Sequence, residues 1–111
     1  MGAINDHIVP WEASYKATHL LAGDARYVLT SGGHIAGIVN PPSPKAWFEA
    51  SDATPPDAPS WREGVTRHSG SWWEDWAQWG AERAGPLEQP PSLGSNRHPA
   101  IGDAPGNYVR E

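Results

Sequence analysis

The sequence contains no cysteine. No disulfide framework, Cys-based zinc site or cysteine nucleophile can therefore be built from this chain alone. It has no long apolar run and no basic leader followed by an apolar stretch. A membrane span and a secretory signal are not expected, and a cytoplasmic location is. Eight Lys and Arg stand against 13 Asp and Glu, a formal net charge of -5, with no basic cluster. No nucleic-acid footprint is expected. Aliphatic residues are scarce. Five Leu, five Ile, five Val and one Phe make 16 of 111 residues, about 14%, below the ~20% at which chains begin to lose their cores. A chain this short forms one domain at most and buries a limited share of its surface. It is expected to struggle to fold alone.

What the sequence does have is seven Trp, 12 Gly and 12 Pro, unevenly placed. Ten of the 16 aliphatics fall in residues 1–42, and five of the seven tryptophans fall between Trp61 and Trp79. Residues 1–42 read as a piece of a core, 43–59 as a Pro- and Asp-rich linker, 60–85 as a Trp-rich helical tail and 86–111 as an extended tail. Pro10 suits the first position of a helix. Trp11 to Ala22 is free of breakers, and Ala13, Ala17, Leu20 and Leu21 share one helical face. Gly23 is a stop. Residues 25–30 suit a strand, and Ser31-Gly32-Gly33 a loop leading to His34. Two capping boxes, Ser60 to Glu63 and Ser71 to Glu74, predict a short helix to about His68 and a longer one to about Ala84. On the second, Trp72, Trp76 and Trp79 form an aromatic stripe.

The order of loop Asp, helix, strand and loop His carries the chemistry. In a parallel sheet, a helix followed by the next strand brings two successive loops to the same edge. The 28 residues between Asp6 and His34 fit one such crossover. Asp6 can then accept a hydrogen bond from the imidazole and hold its tautomer, leaving His34 as general base. A nucleophile is missing. Hydrolases of this topology place it upstream of the acid on a strand-to-helix elbow, and no G-x-S-x-G occurs in the chain.

Four segments resemble one family in its order and near its spacing. They are Asp6-His7-Ile8-Val9-Pro10-Trp11, the run from Ser31-Gly32-Gly33-His34 to Pro41-Pro42, Gly70-Ser71-Trp72-Trp73-Glu74-Asp75-Trp76, and Ala104-Pro105-Gly106-Asn107-Tyr108-Val109. Together they resemble the carboxyl-terminal part of the polyhydroxyalkanoate synthases. The resemblance implies an α/β fold: the carboxyl-terminal fragment of an α/β-hydrolase domain, its last helix and strand, with a Trp-rich helical tail. It implies polymerisation of (R)-3-hydroxyacyl-CoA into a polyester with release of CoA, through a Cys-His-Asp triad. Asp6 and His34 take the aspartate and histidine places, and the cysteine has no position here. The aspartate either orients the histidine or activates the 3-hydroxyl of the incoming unit. The partners implied are the acyl-CoA, the growing polyester and the upstream, nucleophile-bearing part of the synthase. Association with the surface of a polymer granule is also implied. No cofactor is implied, since the CoA thioester is substrate. Gly33, Glu74 and Gly80 depart from the family pattern, where Ser, Pro and Leu are common.

This chain is expected to be inactive alone. Two other readings stand beside the acyltransferase: a non-catalytic module docking on a synthase or granule, and a non-functional truncated remnant. His7 can shape a pocket or serve structure. His19, His68 and His98 lack ligand spacing, and no metal is expected. The Trp stripe reads as a packing face against the rest of a synthase, ahead of a platform for a polymer or sugar.

Overall fold

The computed structural model describes residues 1–110; Glu111, the end of the expected tail, lies outside the described residues. The chain runs β1 (Gly2–Ala3), α1 (Trp11–Tyr15), a 3₁₀ turn (Lys16–His19), β2 (Tyr27–Thr30), α2 (Ala36–Val39), β3 (Trp47–Ser51), α3 (Ala58–Glu63), β4 (Arg67–Ser69), α4 (Trp72–Ala84) and a 3₁₀ turn (Tyr108–Arg110). One mixed sheet holds the strands in the order β1-β2-β3-β4. β1 and β2 are parallel, with Ala3 opposite Thr30. β3 returns antiparallel to β2, pairing Tyr27 with Ser51, and β4 is antiparallel to β3.

The core substitutes rings for the missing aliphatics. Trp11, Tyr15, Tyr27, Leu29, Ala58 and Trp61 form one buried cluster. Trp61 meets Tyr27 edge to face at 5.0 Å, and Tyr15 meets Tyr27 in the same way at 5.0 Å, the arrangement that ring quadrupoles favour. The hydroxyls stay satisfied: Tyr27 donates to the Trp11 carbonyl at 2.9 Å and Tyr15 to that of Pro55 at 2.6 Å.

Three expectations are corrected. The helix over 11–22 is α1 followed by a 3₁₀ turn. Ser14 and Thr18 turn their hydroxyls back onto the Trp11 and Tyr15 carbonyls, which competes with regular helix. Its buried face is Trp11 and Tyr15, while Leu20 and Leu21 are exposed.

The 43–59 stretch carries β3, a central strand, so it is not a plain linker. Its Glu49 is buried yet paired: Arg67 donates through Nε at 3.0 Å and Nη2 at 2.9 Å, and Arg62 Nε lies at 3.5 Å.

The third correction concerns the helix expected from Ser60 to His68. It is α3, capped three residues earlier. The Asp57 carboxylate accepts both the Ser60 amide at 2.9 Å and the Ser60 hydroxyl at 2.8 Å, and Pro59 presets the first turn. Gly64 ends it, and Arg67–Ser69 becomes β4, where His68 stacks on Phe48.

Ser71 does cap α4, accepting the Trp73 amide at 3.1 Å, and Gly85 ends it with φ +81°. Beyond α4, residues 86–109 are exposed throughout. The radius of gyration, 18.9 Å, exceeds the ~13 Å of a compact chain of this size.

Candidate functional site

Asp6 and His34 sit on two adjacent loops beyond the ends of β1 and β2. The Asn5 amide donates to the Gly32 carbonyl at 2.9 Å, continuing the parallel pairing past the strands. The Ser31 amide donates to the Trp47 carbonyl and the Trp47 amide to Ser31 Oγ, tying the histidine loop to β3 as well. Gly32 has φ +103°, a conformation that suits glycine. It turns the chain out of β2 toward His34.

The Asp6 carboxylate is spoken for on both oxygens. Oδ1 accepts the amides of Ile8 and Val9, each at 2.9 Å, in an Asx turn. Oδ2 lies 2.9 Å from Nδ1 of His34. The Val9 amide is the main influence holding the carboxyl down at about 2. Partial burial opposes it, and the His34 hydrogen bond and the Ile8 amide assist. An ionised carboxylate can only accept, so the proton of this bond sits on Nδ1. In the neutral imidazole, Nε2 is then the lone-pair-bearing nitrogen. The His34 side chain is 42% exposed against 7% for Asp6, so the imidazole is open to solvent while its carboxylate anchor is covered. Ile8 and Val9 follow Asp6, Ile35 follows His34, and Ile38 and Val39 lie on α2; all five are exposed.

The two predicted site residues are thus in contact. His7 is exposed beside Asp6. His19 lies on the Pro55 carbonyl at 3.1 Å, and His68 in its stack on Phe48. Among the described residues, no three His, Cys, Asp or Glu side chains gather as a metal site. Among the same residues, no helix is long and apolar enough to cross a membrane. A groove of about 390 Å³ lies away from the pair, lined by Leu21, Tyr27, Val28, Trp72, Trp76 and Trp79. Beside it Arg26 bridges Asp52 and Asp75 at 3.1 and 2.8 Å.

Contacts that sequence reasoning missed hold the histidine loop from behind. Thr30 Oγ1 donates to the Gly37 carbonyl at 2.6 Å. A Cβ at Gly37 would collide with that of Ala3, so α2 packs on β1 because residue 37 has no side chain. The signal was present as a third glycine shortly after Gly32 and Gly33.

Fold and site together define an α/β protein with a hydrogen-bonded Asp–His pair on neighbouring loops of two parallel strands. No family model matches the chain. Individual relatives do. It is 45% identical over 113 residues to poly(3-hydroxyalkanoate) polymerase 1 of Ectopseudomonas oleovorans, covering 100% of this chain and 20% of that protein. It is 46% identical to poly(3-hydroxyalkanoate) polymerase subunit PhaC of Cupriavidus necator, covering 98% of this chain and 19% of that protein. With the poly(3-hydroxyalkanoate) polymerase of Methylorubrum extorquens the identity is 38% over 95% of this chain and 18% of that protein. The resemblance to the carboxyl-terminal part of this family therefore holds along the whole chain. The chain spans about a fifth of the length of the curated relatives it matches.

Proposed function

We propose that this chain is the proton-transfer portion of a polyester-forming acyltransferase, the carboxyl-terminal end of an α/β-hydrolase domain. One observation carries this reading: Asp6 Oδ2 at 2.9 Å from Nδ1 of an exposed His34. Held so, His34 takes the proton of a thiol through Nε2 as the thiol attacks an (R)-3-hydroxyacyl-CoA carbonyl. The C–S bond to CoA breaks, CoA leaves protonated, and the acyl group rests as a new thioester. The chain has no cysteine, so the thiol comes from a further polypeptide segment or a second chain. The exposed apolar residues Ile8, Val9 and Ile35, next to the pair in the chain, are the surface such a segment, with its acyl chain, would cover. No cofactor or metal enters the step, and the setting proposed is the cytoplasm, at polymer granules.

The test mixes this chain with a nucleophile-bearing portion of a polymerase and follows CoA release from (R)-3-hydroxybutyryl-CoA. Release above that of the separate pieces is expected, and its absence argues against the reading.

A second reading rests on α4, where Trp73, Trp76 and Trp79 are exposed: a non-catalytic module that docks on a synthase or granule. Granule co-sedimentation that survives loss of both Asp6 and His34, without CoA release, would favour it.

A further inference from the structure

The geometry points to Ser71 and Trp72, at the head of α4, as positioning residues for His34, acting through α2. The inference rests on reading Asp6 and His34 as the proton-transfer pair.

α2 is a single turn of four residues, too short to hold its own shape. Its terminal carbonyls have no partners within the helix. Its start is fixed: the Gly37 amide donates to the Gly33 carbonyl at 2.7 Å, directly beside His34. Its end is fixed from outside. The Trp72 indole N–H donates to the Ile38 carbonyl at 2.9 Å, and the Ser71 hydroxyl to the Asn40 carbonyl at 2.5 Å. Both carbonyls belong to the segment where the chain leaves α2. There Asn40 adopts a left-handed conformation, φ +31°. Asn40 and Ser71 are buried, Ser71 to 2% exposure.

Ser71 therefore serves two helices at once. Its oxygen accepts the Trp73 amide as the cap of α4, and its proton goes to the end of α2. The other face of α2 is gripped by Thr30 and packed on Ala3. His34 stands at the start of a short turn clamped between β1 and β2 on one side and the head of α4 on the other. Loosening the clamp gives the imidazole room to leave Asp6. α4 buries none of its own residues; these bonds and the Arg26–Asp75 ion pair tie its head to the body.

The test is NMR on the full chain. One readout is amide exchange at Gly37, Val39 and Asn40. The other is the His34 Nδ1–H signal. Trp72→Phe keeps the ring and removes the N–H, and Ser71→Ala removes the hydroxyl. Each is expected to quicken exchange at those amides by roughly five- to tenfold, the scale of one lost hydrogen bond, and to weaken the Nδ1–H signal. Ser71→Thr keeps a hydroxyl and is expected to match the parent. So is Trp76→Ala, one turn further along α4. The inference is overturned if Trp72→Phe and Ser71→Ala leave both readouts unchanged, or if Trp76→Ala moves them equally. Asp6→Asn judges the pair separately. It should abolish the Nδ1–H signal while exchange over residues 37–40 stays put. If the signal survives Asp6→Asn, the pair reading fails, and the exchange data still decide the role of Ser71 and Trp72.

Discussion

Asn5 and Gly32 share a backbone hydrogen bond of 2.9 Å, one residue before Asp6 and two before His34. The two loops are thus laced together by main chain, independently of the side chains they carry. Asp6→Asn should therefore keep the loops in place while removing the charged acceptor that fixes the imidazole. An amide can present its NH₂ to Nδ1, which selects the wrong tautomer. In the reconstituted CoA-release assay, the rate should fall by on the order of 10³- to 10⁴-fold.

The same carboxylate makes stability depend on acid. The Asp6 carboxyl titrates at about 2, below its ordinary 3.8. A depressed folded value contributes stability above the unfolded value and loses it as pH falls through the folded one. The stability gap between the parent and Asp6→Asn should be level at neutral pH. It should then close between about pH 4 and pH 2. Urea melts across that range measure it, and a gap that persists at the acid end contradicts the assignment.

Glu49 is the buried charge on which β3, α3 and β4 converge. Arg67→Ala removes two of its hydrogen bonds and the guanidinium stacked 3.7 Å over the Trp47 ring. The expected loss is on the order of 2 kcal/mol. That is less than the ~3–5 of a fully buried pair, because Arg67 is half exposed and Arg62 remains. Arg67→Lys should recover only part of it, since an ammonium cannot reproduce the fork. Chemical denaturation of the three proteins gives the comparison.

Two glycines should respond in opposite directions to alanine. At Gly37 the new methyl would meet Ala3, and overpacking of this kind costs about 1–3 kcal/mol. Gly80 lies inside α4 with nothing within 4 Å of an added Cβ. Alanine there should stabilise by about 1 kcal/mol through helix propensity. Thermal melts distinguish the two signs.

The elements legible in the sequence were those whose signals are local. Ser71 announced α4 because a cap needs only its own next turn. The Asp6–His34 contact was legible because one crossover brings two successive loops to the same sheet edge. β3 was hidden because its strand pattern is broken by Glu49. That charge becomes tolerable only once Arg62 and Arg67 arrive from elements 13 and 18 residues further on. The cap of α3 was misplaced because Asp57 takes the Ser60 amide and hydroxyl, leaving neither for the expected box with Glu63. Leu20 and Leu21 suggested a buried face, but Trp11 and Tyr15, earlier in the segment, take it and the leucines stay exposed. The clamp of Ser71 and Trp72 on α2 depends on two segments more than 30 residues apart, which no window of sequence brings together.

The ring-built core has an optical consequence. Trp61 is buried against Tyr15 and Tyr27, whereas Trp73, Trp76 and Trp79 face solvent. Light absorbed by either tyrosine should pass to the nearby indole and leave as tryptophan emission. The solvent-facing indoles should emit at longer wavelength whatever the state of the centre. The chain thus carries a built-in gauge of its own interior. Loss of tyrosine-sensitised emission reports the parting of α1, β2 and α3, and quenching by a soluble additive reports what comes to rest on α4.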